Sequence, residues 1–379
     1  MDTETTTSNK GNPFDESNRL CYVGLKDSNI HLYDIDYSDR PDNVAEIQER
    51  INSCSTLIGF NIKFDLHWIR KYGISFSNCR IWDCQLVHFI LSGQRDSYPS
   101  LNGVAAHYGL GTKLDVVASQ YWDLGIDTPG IPREILEEYL SGDLTLTEQV
   151  YLKQVEELES RPELKRLVSL HNQDLLVLEE MEYNGLLYDS VKSEELACEL
   201  EERIKELDKI LYQYHSCDSF NPNSNDHLSC LLYGGALNLR RREVIGFFKT
   251  GARAGEVKEK WIDYQLELPR LVKPLKGSEL AKEGYWSTDE QTLRNLNSSR
   301  KSKEVIELLL TRAELEKRVS TYYRGLLKLS ETMKWKEHHI HGQLNQCIAR
   351  TGRLSSSRPN LQNFDGEIKG LFYSRYLTK

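Results

Sequence analysis

The 379-residue chain is long enough for two domains or more, and its 39 % hydrophobic and 28 % charged residues are ordinary for a globular protein. No apolar run approaches the roughly 18–20 residues of a membrane span, and the polar start MDTETTTSNKGNPFDESN reads as neither secretory signal nor transit peptide. Eight scattered cysteines without a Cys-x-x-Cys pair indicate neither a zinc cluster nor a disulfide framework, so reduced thiols in a cytoplasm are expected; the net charge of −9 argues against a nucleic-acid binder only if it is spread evenly.

It is not spread evenly. Residues 1–160 hold 13 basic and 25 acidic residues, a net of −12. Residues 239–277 hold 10 basic and 5 acidic, and residues 338–379 hold 6 and 2, nets of +5 and +4. An acidic front with basic segments behind it suits a metal-binding hydrolase joined to a polyanion-binding region.

In chain order, residues 20–35 predict two strands around a turn at Lys26–Asn29. Residues 42–53 have helical spacing, with Val44, Ile47 and Ile51 on one face. Residues 56–60 read as a short buried strand, followed by helices over 64–72 and 84–91 and a long one over 133–158. Strands alternating with helices place 1–160 in an α/β class. Composition shifts after Arg161-Pro162 to Leu, Glu and Lys at helical spacing, with a break at Asn184-Gly185. Residues 234–285 predict an extended insertion or hairpin, and 301–333 another long helix.

Asp2-Thr-Glu4 places two carboxylates on one face of a strand. Two acids held side by side repel each other unless a cation lies between them. Asn61 and Asp65 stand four apart after a strand, and Tyr139 and Asp143 stand four apart on a helix, so each pair faces one way. Four acids and a phenol from three segments suit phosphodiester hydrolysis by two divalent ions about 3.5–4 Å apart. Hard oxygen donors select Mg²⁺ or Mn²⁺ over zinc. In this reading Asp2, Glu4 and Asp143 hold one ion, Asp2 bridges to a second, Asp65 acts on the second through water, and Tyr139 orients the attacking water.

DTET, IGFNIKFDLHWI and YLSGDLTLTEQVYL, in this order, resemble the three motifs of the proofreading exonuclease domain of family A DNA polymerases, the DEDD group with a tyrosine in its third motif. The likeness covers nearly all of 1–160. It implies a ribonuclease H-like fold and a preference for single-stranded 3′ ends. HGQLNQCIARTGRLSSSRPNLQN, residues 341–363, resembles the same family's TGRLSSS-x-PNLQN motif at the junction of palm, thumb and primer–template duplex. The resemblance implies that Arg353 reaches the minor groove, whose acceptors vary little between base pairs. It implies that Asn360 and Gln362 support the duplex, and that Ser355 and Ser356 take phosphates. GYWSTDEQTLRNL (284–296) and ELLLTRAELEKRVSTYYRGLLKL (307–329) are similar to the family's thumb, with Arg312 and Lys317 as candidate phosphate contacts. EEMEYNGLLYD (179–189) matches the entry into the polymerase module.

The expected architecture is therefore an α/β ribonuclease H-like exonuclease domain over 1–160, a mainly helical linker and thumb over 161–337, and the first β element of a palm over 338–379. The sequence ends before the palm Asp and fingers of the family, so polymerisation is expected only with a second polypeptide that carries them. Either a split phage or bacterial polymerase supplies one, or the reading frame is truncated. With only Met1 before Asp2, the first strand is expected to be short and prone to fraying. A stand-alone DEDD exonuclease and a non-catalytic DNA-clamping subunit are the competing readings.

Overall fold

The structure is a computed structural model that describes residues 1–35, 42–112, 116–251, 255–336 and 338–373. It separates into two compact units, residues 1–190 with 326–379, and residues 191–325.

The first unit is built on β1 (Asp2–Thr5), β2 (Leu20–Lys26) and β3 (Ile30–Asp34), paired antiparallel in that order. β2 is the central strand, and its run LCYVGL is buried along its whole length because both faces are covered. In register, Asp2 lies opposite Gly24, Thr3 opposite Val23 and Glu4 opposite Tyr22, with an irregularity between Glu4 and Thr5. β4 (Thr56–Gly59) and β5 (Arg80–Asp83) form a parallel pair connected by α2 (Lys63–Lys71). α1 (Asp42–Ser53) lies between β3 and β4 in the chain and buries Ile47 and Ile51. The Met1 ammonium donates to the Ile58 carbonyl at 2.6 Å, which joins β1 to β4. Met1, Thr3, Glu4 and Thr5 are all buried, because neighbouring elements cover the strand on both faces.

α3 (Cys84–Leu91), α4 (Leu101–His107), α5 (Val116–Gln120) and the 28-residue α6 (Arg133–Ser160) complete the shell around these strands. α6 packs over β2 through Leu136, Leu140 and Leu144.

The compact units divide the chain differently from the expected boundary at 160/161. After a turn at Pro162–Leu164, α7 (Lys165–Asn184) returns to the first unit, where Val168 and Leu175 enter the core with Phe89, Trp68 and Ile69. The compositional shift at Arg161 coincides with the end of α6. β6 (Leu186–Tyr188) then pairs with both β9 (His339–Ile340) and β12 (Phe372–Tyr373), and β10 (Gln343–Asn345) pairs with β11 (Ser355–Ser357). α13 (Gly366–Lys369) precedes β12, and the end of the expected palm segment, residues 374–379, lies outside the described residues.

The second unit has α8 (Ser190–His215), α9 (Asn225–Tyr233), α10 (Glu290–Arg294) and α11 (Arg300–Lys317) around Leu211, Leu232, Val305, Ile306 and Leu309. The expected long helix over 301–333 is interrupted. A π-helical turn occupies Arg318–Tyr323 before α12 (Arg324–Met333). The wider turn brings the Ser320 carbonyl over Gly325, where any Cβ would collide with it. Residues 235–268 form the expected hairpin, β7 (Gly235–Phe247) paired antiparallel with β8 (Val257–Leu268).

Candidate active site

The site is assembled by a strand, a strand–helix turn and a helix. β1 presents Asp2 and Glu4 on one face, and α6 brings Asp143 over them. One ligand atom from each of Asp2, Glu4 and Asp143 lies within 4.8 Å of the others. Among the described residues this is the one group of three His, Cys, Asp or Glu side chains so arranged. Gly24 makes the approach possible. It lies opposite Asp2, and a Cβ there would stand 2.8 Å from Leu144 and 3.0 Å from Leu140 of the helix that carries Asp143.

Asp65 is not part of that trio. It lies on the first turn of α2, is 2 % exposed, and accepts a 2.6 Å hydrogen bond from the Thr3 hydroxyl. Burial, and then the charge of Asp2, push the Asp65 carboxyl well above the usual carboxylate range. Asn61 sits in the left-handed region at φ 56° and turns the chain from β4 into α2. Its N–H donates to the Asp83 carboxylate at 3.0 Å, and the N–H groups of Gln85 and Leu86 donate to the same Oδ1, so Asp83 caps α3. Burial outweighs these donors and raises the Asp83 carboxyl to about 6.

Tyr139 stands one turn before Asp143 on α6, with its ring edge-on to Trp122 at 5.9 Å. Trp122 donates its indole N–H to the Thr128 hydroxyl at 3.2 Å, and that hydroxyl donates to the Thr5 carbonyl at 2.6 Å. Thr128 is fully buried. A relay of Trp122, Thr128 and Thr5 thus ties the strand of Asp2 and Glu4 to the ring of Tyr139. Sequence reasoning missed these three, together with Thr3. The local hint is Asp127-Thr-Pro-Gly, a turn signal whose Asp caps the Thr128 N–H, but its partner on β1 is 123 residues away in the chain.

The expected DNA-contact residues separate by exposure. Arg353, Asn360, Gln362 and Lys317 are exposed and Ser355 is half-buried. Asn360 accepts from the Gln362 N–H, and the Gln362 amide donates to the Leu354 carbonyl at 2.8 Å, so both shape the loop after β11. Two expectations are corrected. Ser356 is buried, donates to the Pro359 carbonyl and accepts from the Leu361 N–H, so its hydroxyl holds the turn and is not offered to a phosphate. Arg312 is 6 % exposed, and its guanidinium is taken by Asp208 at 2.5 Å and by the Asn223 side chain at 2.6 Å. It is a structural ion pair of the second unit.

Residues 259–373 match the sequence profile of DNA polymerase family A. The chain is 29 % identical over 308 residues to DNA polymerase I of Synechocystis sp., covering 80 % of this chain and 26 % of that protein. It is 28 % identical over 297 residues to DNA polymerase I of Bacillus subtilis, covering 78 % and 28 %. Over these segments the chain is similar to family A DNA polymerases. A phage protein of similar kind, the DNA polymerase of Bacillus phage SP01, is 25 % identical over 356 residues, 84 % of this chain and 36 % of that one. The chain thus spans about a quarter of the length of the two bacterial relatives. The fold is similar to that of the POL domain of Pol1 from M. smegmatis, solved in complex with DNA primer-template and dNTP. The TM-score is 0.64 at 17 % identity, over 95 % of this chain and 52 % of that one. No helix among the described residues is long and apolar enough to cross a membrane.

Proposed function

We propose that this relative of family A DNA polymerases is a 3′→5′ exonuclease that works in DNA replication, trimming DNA 3′ ends from a ribonuclease H-like unit. The observation that carries the reading is the convergence of the Asp2, Glu4 and Asp143 carboxylates within 4.8 Å. An all-oxygen donor set of this kind fits Mg²⁺ or Mn²⁺. Two such ions, when bound, supply an activated water and offset charge on the leaving oxygen. Asp2, Glu4 and Asp143 would hold the first, with Asp2 shared and Asp65 serving the second through water.

The chain's own residues do the rest. Tyr139, braced by Trp122, orients the attacking water through its hydroxyl. Thr3 fixes the Asp65 carboxylate so that one oxygen is turned to the protein. The high carboxyl pKa of Asp65, with the Asp2 charge as its second cause, is the behaviour expected of acids packed for a cation. The exposed Arg353 beside the 355–363 turn and the exposed Lys317 suit contact with duplex DNA.

The test is direct. Purified chain with Mg²⁺ or Mn²⁺ should shorten a 5′-labelled single strand from its 3′ end, and Asp143→Ala should abolish the ladder. An unshortened substrate with the unsubstituted chain in both metals would sink the reading.

A further inference from the structure

The β7–β8 hairpin is rooted and then abandoned by the core. At its base Leu237, Leu239 and Leu268 are buried with Phe220, Cys230 and Leu231. From Arg240 outward every described residue of the hairpin, up to Glu267 on the return strand, is exposed or half-exposed. Strands of 13 and 12 residues reach roughly 40 Å, and an isolated two-stranded ribbon is marginal in water. Such a ribbon gains from a partner that covers it.

Its chemistry states what kind. Between Arg240 and Lys260 the sequence has seven basic and three acidic residues, in a chain whose net charge is −9. Interleaved with them are large apolar side chains turned to solvent: Phe247 is 62 % and Trp261 57 % exposed. Trp261 and Val257 share a face of β8, and their cross-strand partners are Arg242 and Phe247. Cations lie on the rings: Arg242 over Trp261 at 5.0 Å, Arg241 over Tyr264 at 5.3 Å and Lys258 over Phe248 at 5.9 Å. Trp261, Phe248, Val257, Arg242, Lys260 and Glu259 together line a hollow of about 210 Å³. The ion pairs Arg242–Glu259 and Arg240–Asp263 are between side chains 43 % or more exposed, so they exchange readily for another anion. A positive ribbon with open aromatic faces complements a polyanion that also carries flat rings.

We propose that the outer half of the β7–β8 hairpin binds single-stranded DNA, its bases stacking on Trp261 and Phe247 and its phosphates pairing with Arg242 and Lys260. This deepens the exonuclease reading, since it gives the substrate strand a second foothold. Stacking is the term that favours a single strand over a duplex, whose bases are already stacked.

The experiment measures binding apart from cleavage. In an Asp143→Asn background, a fluorescein-labelled oligothymidylate is titrated by anisotropy over a salt series, with a blunt duplex in parallel. Trp261→Ala/Phe247→Ala should weaken strand binding about fivefold or more and duplex binding far less. Arg242→Gln/Lys260→Gln should reduce the slope of log affinity against log salt by about one unit or more. Unchanged melting of each variant shows that the second unit is folded. Loss below twofold, as expected of a face that docks a protein, overturns the proposal, as does equal loss on strand and duplex. Metal-dependent shortening by the unsubstituted chain is recorded alongside. Its absence with tight, hairpin-dependent strand binding sinks the nuclease reading alone, and its presence with hairpin-independent binding sinks the hairpin alone.

Discussion

His341 shows how much a single side chain in the recognisable C-terminal motif is committed to the fold. Its ring stacks on Phe14 at 4.1 Å, and Nδ1 bonds the Glu182 carbonyl at 2.8 Å. Burial lowers its pKa to about 4. The folded value lies below the unfolded one, so its stabilising share is whole above about pH 6.5 and is lost as pH falls toward 4. Between neutral pH and pH 5 the loss is about 2 kcal/mol. His341→Asn keeps an N–H toward Glu182 and removes the titration. Urea melts should therefore show a flatter stability–pH profile below 6.5 for the variant. At this scale the sequence was informative wherever identity and spacing decide the matter. Asp2, Glu4 and Asp143 are where a period of two on a strand and a four-residue step on a helix put them. Arg312 was not legible, because its burial depends on Asp208, 104 residues away on α8.

Among the elements, the contact of α6 with β2 sets the geometry of the acids. Gly24 lets Leu140 and Leu144 settle onto the sheet opposite Asp2. Gly24→Ala would force the two leucines aside and lift Asp143 from Asp2 and Glu4. The expected cost is about 1–3 kcal/mol in stability, with weaker apparent Mn²⁺ affinity in cleavage: a rise in the metal concentration for half-maximal rate, larger than any change at saturating metal. Strands and the long helix were legible from periodicity, and residues 234–285 were legible as an extended insertion or hairpin from their basic charge, glycines and prolines. The interrupted helix was not, because a π turn leaves helical composition intact on both sides. Nor was the extent of the first compact unit. α7 looks like the start of a separate helical region, yet Arg70 makes a bidentate pair with its Glu179, and Lys63 and His67 bond its Glu182. Those partners lie more than 100 residues upstream in the chain.

For the whole molecule, a cation held by native carboxylates binds the folded state alone and stabilises it by mass action. Mn²⁺ at about 100 times its dissociation constant should stabilise the first unit by about 2.7 kcal/mol. Differential scanning calorimetry should show the matching rise in Tm, reversed by EDTA and absent in Asp143→Ala. An equal rise in that variant would place the ion elsewhere. The charge map drawn from the sequence follows the units only in part: the acidic trio lies in the first unit and the basic hairpin in the second, but the basic segment from residue 338 belongs to the first unit. The reach of the hairpin could not be read from it, because exposure is set by what the core leaves uncovered.

The edge-on ring of Trp122 against Tyr139 has a use beyond catalysis. The chain has six tryptophans, and they sit in unlike surroundings: Trp68 is fully enclosed, Trp122 lies beside the candidate active site and Trp261 stands open on the hairpin. Biosynthetic incorporation of 5-fluorotryptophan would give each indole its own ¹⁹F resonance. The Trp122 line would then follow the arrival of a 3′ end at Tyr139, the Trp261 line would follow the strand along the ribbon, and the Trp68 line would stay fixed as the reference, all in one spectrum.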